Sequence, residues 1–245
     1  MVINDLLPTH EDQGVLPTHE YRRVLRWGGL AGILGGVLLI VVFAIVGAFV
    51  GTFAGPEAEV AAYPAVRVAR TFENSLYLLV LVLWAVHLIA LYRALRATSP
   101  APALYGSVLG IMSMVVLAAG ALPHVVTAPI SDLYHAPGAT PEERATLVLA
   151  WQSSQSIIDS LLIVGLVIAP IGLLLLGVAM VQTPAFGRGV GRVTFGLGAA
   201  GAAAVVVLLA IPESPIAAVG IFALIAFHLV LGWRTFRLPA NGLVG

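Results

Sequence analysis

His87 and His228 are the residues whose type and setting point most directly to chemistry. They sit in matching segments. His87-Leu-Ile-Ala-Leu-Tyr-Arg93-Ala-Leu-Arg96 and His228-Leu-Val-Leu-Gly-Trp-Arg234-Thr-Phe-Arg237 share the pattern His-Leu-aliphatic-x-x-aromatic-Arg-x-apolar-Arg. Each histidine precedes its arginine by six residues, about 9 Å of helical rise, so both belong at one depth. Two imidazoles facing each other at that depth could ligate a b-type haem, with nearby arginines holding the propionates. They could also contact a polar ligand, or simply pack as neutral rings between helices. All three readings are open on sequence alone.

A second group lies near the other ends of the same apolar blocks. Glu73 and Asn74 open one block, and His124 closes another after Pro123. Gln152, Gln155 and Asp159 are spaced three and four apart, which puts them on one helical face. Polar side chains at membrane depth are costly and are functional candidates by default. Together these six could line a pocket. A carboxylate beside a histidine could move a proton there or hold a metal. Asp132 and His135 follow, but with His124 they make no recognised zinc spacing.

The rest of the composition narrows the chemistry. There is no cysteine, so disulfides, zinc–thiolate sites, iron–sulfur clusters and thiol catalysis are out. All twelve basic residues are arginine, which removes Schiff-base, retinal and Walker-type nucleotide chemistry. The 245 residues are 60% hydrophobic and 10% charged, against about 25% charged in soluble domains. That excludes a soluble enzyme, a disordered chain and a nucleic-acid binder.

The elements that must position these residues are membrane helices. A span needs about 20 apolar residues. Six stretches qualify: 27–50, 76–92, 104–126, 161–181, 193–211 and 216–233. The blocks are too long and too continuous for barrel strands. The expected fold is therefore an all-α polytopic bundle of six transmembrane helices. Its tails are 1–26 and 238–245, around a 27–237 membrane domain. The first span is too long, and its polar lead too long, for a cleaved signal peptide; it reads as a signal anchor.

Arginine placement gives orientation. Arg22, Arg23, Arg26, Arg93, Arg96, Arg188, Arg192, Arg234 and Arg237 fall on one side, and Arg67, Arg70 and Arg144 on the other. Nine against three predicts both termini in the cytoplasm, in a bacterial-type cytoplasmic (inner) membrane. The long loops, 51–72 and 127–150, are then extracytoplasmic. Pro56, Glu57 and Glu59 predict a short surface helix in the first. Thr140-Pro141-Glu142-Glu143 is a capping box that should start a helix near Pro141 and feed the fourth span. That fourth helix would run about 40 residues, or about 60 Å, with a kink at Pro170.

Small-residue motifs read as packing seams. Gly196-Leu-Gly198-Ala-Ala-Gly201 spells a dinucleotide fingerprint but has no preceding strand and no acidic residue at the right distance. Gly28-x3-Gly32-x3-Gly36 is a stripe that lets helix backbones approach or serves a dimer. Two internal repeats are visible. Leu7-Pro-Thr-His-Glu11 recurs as Leu16-Pro-Thr-His-Glu20, the second copy starting a helix at Thr18. His10, Glu11, His19 and Glu20 could bind a metal, although nothing in the tail fixes their geometry. The segments 22–96 and 188–237 could be a parallel repeat of one hairpin, with His87 matched to His228, or could share only the aromatic–Arg exit common at the cytoplasmic ends of membrane helices.

The Leu91-Tyr-Arg-Ala-Leu95 exit, the polar-headed fourth helix and Leu173-Leu-Leu-Leu-Gly-Val-Ala-Met180 resemble a family of uncharacterised bacterial six-helix integral membrane proteins. The likeness covers 27–237 at the level of hydropathy. It implies the six-helix fold and supplies no catalytic residues.

Three functions fit. The first is a non-catalytic accessory subunit, sensor or small-ligand carrier with an outward polar pocket. The second is a haem b redox subunit using His87 and His228. The third is a membrane hydrolase or proton-coupled enzyme using Glu73, His124 and Asp159. It ranks last because no nucleophile–base–orienter set is readable. No cofactor beyond haem is suggested. The expected partners are the lipid bilayer, other membrane subunits or a second copy, and a small apolar ligand.

Overall fold

The computed structural model describes residues 18–51, 53–211 and 214–238, and these contain helices and no strand. The first copy of the tail repeat, with His10 and Glu11, lies outside the described residues. The helices are α1 (Thr18–Ile45, continued as a π-turn over Val46–Val50), α2 (Pro56–Leu95), α3 (Pro100–Ala121), α4 (His124–Tyr134), α5 (Pro141–Gln182), α6 (Arg188–Ala210) and α7 (Ala217–Arg237). Taking α3 and α4 together, six helical segments are long and apolar enough to cross a membrane. The protein is an all-α, six-span membrane bundle.

Each span packs on the next, α3 directly on α5, and α7 closes the ring against α1. Close glycine contacts show that the neighbours run antiparallel. Gly28 meets Ala90, Gly32 meets His87 and Gly35 meets Trp84, so α2 descends as α1 rises. Gly106 and Gly172 face each other across α3 and α5, and Gly177 meets Phe195 across α5 and α6. Gly29 meets Gly232 across α1 and α7. This alternation gathers the nine arginines of the larger group at one end, hereafter the arginine end. The two long loops lie at the opposite, loop end. Val82, Val115 and Val206, each more than 60% exposed, belong to an apolar outer surface that suits lipid and not water.

α5 begins where the capping box requires. Thr140 N donates to Glu143 Oε2 at 2.8 Å and Glu143 N to Thr140 Oγ1 at 3.2 Å. At 42 residues it is the expected extended fourth helix. Pro170 is buried inside it, and a methyl at Gly201 would lie 3.0 Å from Pro170 Cγ.

Two boundaries differ from expectation. The short helix predicted at Pro56 is the outer end of α2, which runs unbroken for 40 residues through Pro64. Proline removes the amide that would bond the carbonyl four residues back and crowds the one three back. Those carbonyls belong to Val60 and Ala61. Ser131 Oγ donates to Val60 O at 3.1 Å, and the His135 ring sits with Nε2 3.1 Å from Ala61 O and Nδ1 2.8 Å from Ser131 O. α4 thus supplies a hydrogen bond that lets α2 continue. The third span also ends early. α3 stops at Ala121, and His124 starts α4 instead of closing the span, because Pro123 cannot donate to the preceding turn.

Candidate functional site: an amphipathic cavity under a polar cap

The outer part of α2, α4 and the start of α5 form a small cap at the loop end. Val60, Tyr63 and Trp151 are its buried centre. The Tyr63 and Trp151 rings meet edge to face with centroids 5.3 Å apart, and Trp151 Nε1 donates to Glu59 Oε2 at 3.0 Å. Arg67 and Asp132 form an exposed ion pair of 2.9 Å on its flank.

Beneath the cap the bundle holds a cavity of about 290 Å³. Its walls come from α1, α2, α3, α5 and α7, with His124 of α4 at the rim. One stripe of α2 carries most of its polarity. Arg70, Glu73, Tyr77, Leu81 and Trp84 line it at spacings of three and four, which place them on one helical face. Asn74 and His124 complete the polar end. The deeper walls are apolar and include Leu39, Val42, Leu117, Leu166 and Leu224. A smaller recess shares Arg70 and His124 and adds Thr127, Trp151 and Gln155.

Arg70 Nη1 lies 3.5 Å from Glu73 Oε2, on side chains 28% and 14% exposed. This is an ion pair without a formed hydrogen bond, and Glu73 Oε2 and Gln155 Oε1 are both buried with no hydrogen-bond partner. Unmet acceptors of this kind carry a desolvation cost of about 1–3 kcal/mol each, which a hydrogen-bonding guest would relieve.

The structure therefore brings together three of the six predicted pocket residues, Glu73, Asn74 and His124, with Gln155 in the adjoining recess. Gln152 and Asp159 are exposed and line neither space. The three α5 residues do share a sector of the helix, but the inward edge of that sector is held by Trp151, Ser154, Gln155 and Ile158. The Glu73–His124–Asp159 set is consequently split between the cavity and the outer surface of α5.

No family model, curated protein or solved structure matches this chain. What the cavity can do follows from its own residues.

Below the cavity floor lies the histidine pair. His87 Nδ1 and His228 Nδ1 are 2.8 Å apart, and both rings are fully buried. Trp84, a cavity-floor residue, stacks flat on His228, with centroids 4.2 Å apart and planes 4° apart. Two imidazoles on opposite faces of one iron need coordinating nitrogens about 4 Å apart, given metal–nitrogen bonds of about 2 Å, with a macrocycle between them. Here the rings touch directly. Gly32 closes the remaining side: a methyl there would lie 2.6 Å from His87 Nδ1 and 3.0 Å from His228 O. In this arrangement the residues do not fit an axial haem pair. Among the described residues no group of three or more His, Asp or Glu is placed to hold a metal.

The small-residue motifs divide. Gly28 and Gly32 receive α2, and Gly36 receives Leu229 of α7, so that stripe packs within one chain. Gly198 and Gly201 seat α6 on Pro170 and Leu174 of α5, whereas Gly196 is exposed and meets nothing within 4 Å. Gly196 is therefore not part of that seam.

Arg70, Tyr77 and Trp84 were not singled out in the sequence as pocket residues. Their three-and-four spacing from Glu73 was the available signal.

Proposed function

We propose that this protein is a non-catalytic, ligand-binding component of the cytoplasmic membrane, acting as a sensor, carrier or accessory subunit. The polar end of its cavity lies toward the loop end, which faces the cell exterior, and both termini are cytoplasmic. The observation that carries the reading is a cavity of about 290 Å³ with a polar rim of Arg70, Glu73, Asn74 and His124 over apolar walls. Pockets that are mostly apolar with a few convergent polar groups are the usual form of small-molecule sites. The excess of arginines at the opposite end supports the orientation. The separation of Asp159 from Glu73 and His124 weighs against an acid–base enzyme. Kinship with the uncharacterised six-helix family belongs to the same proposal.

Mass spectrometry of small molecules retained through purification in mild detergent tests it. Ala121 is buried and lines the cavity, so Ala121→Phe should fill it. A compound carried by the wild-type protein and lost from a correctly folded Ala121→Phe variant is the expected result. Identical small-molecule content in the two proteins would overturn the reading.

A further inference from the structure

We propose that the cavity selects a net-neutral, single-chain amphiphile, taken from the adjacent bilayer leaflet through a gap between α1 and α7. The proposal rests on the ligand-binding reading above and adds the chemical class of the ligand and its route.

The head-group end sets the charge. Arg70 and Glu73 are the charged side chains lining the cavity, and they already neutralise each other. In the adjoining recess Glu59 accepts from Trp151 Nε1. A charged head inside the cavity would face one cation and one anion already paired with each other, because the Glu59 carboxylate lies outside it in the partly exposed recess. A neutral head bearing hydroxyl, ester or amide groups finds both kinds of partner. Asn74 offers a donor and an acceptor, His124 and Tyr77 can do either, and Gln155 Oε1 has a free acceptor site.

The walls set the tail. At about 290 Å³ the cavity lies at the small end of ligand sites of about 300–1,000 Å³, which favours one medium-length chain over two.

The route follows from how α1 meets α7. In the arginine half they touch backbone to backbone: a methyl at Gly29 would lie 2.6 Å from Gly232 O. In the loop half glycine gives way to aromatic rings, Phe43 and Phe222, with centroids 6.5 Å apart. Two helices in backbone contact at one end are joined beside the cavity by a pair of side chains, which can swing aside as backbone cannot. Among the described residues that line the cavity, Phe43 alone is exposed, at 42%. It is cavity wall on one side and lipid-facing surface on the other. Directly beyond it α1 loosens into the π-turn at Val46–Val50, a distortion often found at functional sites.

Equilibrium binding of four labelled ten-carbon probes to the purified full chain tests the class. The probes are 1-decanoylglycerol, decanoate, decyltrimethylammonium and didecanoylphosphatidylcholine. Saturable binding of 1-decanoylglycerol is expected, at least about tenfold tighter than the other three. Ala121→Phe should abolish it, and Leu117→Trp, a second cavity-filling change, covers the case in which the first fails to fold. Phe43→Ala should speed association severalfold with little change in affinity. Equal or tighter binding of a charged or two-chain probe, or no saturable binding of the neutral one, overturns the class. An unchanged association rate in Phe43→Ala overturns the route. If the neutral probe fails while Ala121→Phe still strips a co-purifying compound, only this inference falls. If the filled variants change neither, the ligand-binding reading falls with it.

Discussion

His87 and His228, 141 residues apart in sequence, share one hydrogen bond of 2.8 Å between their Nδ1 atoms where α2 meets α7. One ring must donate and the other accept, so at least one imidazole is neutral, because two imidazoliums would aim two N–H groups at each other. Trp84 stacks on His228 from the cavity side and Gly32 backs His87 from α1. The pair joins three helices beneath the cavity floor. Its role in this arrangement is to tie α1, α2 and α7 together below the cavity.

That role predicts non-additivity. His87→Leu or His228→Leu alone strands a buried imidazole, costing about 1–3 kcal/mol. The double variant strands none. It should be less destabilised than the sum of the singles by about 1 kcal/mol, the scale of interhelical hydrogen bonds in membranes. Reversible unfolding in mixed micelles measures this. Strictly additive losses would mean the two rings do not depend on each other.

Glycine positions should split by what surrounds them. At Gly32 a methyl would press on His87 Cγ at 2.8 Å and on the His228 carbonyl at 3.0 Å. Gly32→Ala should therefore cost about 1–3 kcal/mol, as overpacking does. Gly196 has open space around it, so Gly196→Ala should gain up to about 1 kcal/mol from helix propensity. The two unfolding midpoints should move in opposite directions. A loss at Gly196 as large as that at Gly32 would contradict the packing described.

Repair of α2 by α4 gives a third test. Ser131→Ala should leave the buried Val60 carbonyl without a donor, at a cost of about 1–3 kcal/mol. In a Pro64→Ala background the restored amide bonds that carbonyl within the helix, and the same change should cost much less. Hydrogen exchange of the amides following residue 64, compared across the four proteins, reads the effect locally. An equal penalty for Ser131→Ala with and without Pro64 would show that the serine acts elsewhere.

Much of this architecture is legible in the chain because lipid leaves few options. A backbone that must bond itself produces long apolar blocks, and these give the six spans directly. The capping box at Thr140 marks the start of α5 because all its partners lie within three residues. The unbroken run of α2 is not legible in the same way, because the donor that satisfies the Val60 carbonyl left free by Pro64 sits 71 residues away on another helix. The cavity shows the same division. Glu73, Asn74 and His124 announce themselves as polar groups at membrane depth. Periodicity establishes that Gln152, Gln155 and Asp159 share a face, but only packing decides which way that face turns. Arg70 reads as a topology charge until the fold pairs it with Glu73, at the head of a stripe that runs down α2 to Trp84.

The direction in which the cavity opens is open to a direct test, because a chain without cysteine reports cleanly on any cysteine added. Asp132 is exposed at the loop end, and its ion pair with Arg67 is a surface contact worth about 1 kcal/mol or less. Gly189 is exposed near the arginine end with open space around it. In intact cells a membrane-impermeant maleimide should label Asp132→Cys and spare Gly189→Cys, which should react only after lysis. Nine arginines against three favour that outcome, since moving the larger set across the membrane is opposed by the charge bias of insertion. The reverse pattern would turn the polar rim of Arg70, Glu73 and His124 toward the cytoplasm. An amphiphile would then reach Phe43 from the inner leaflet, and the protein would present its ligand to the cell interior.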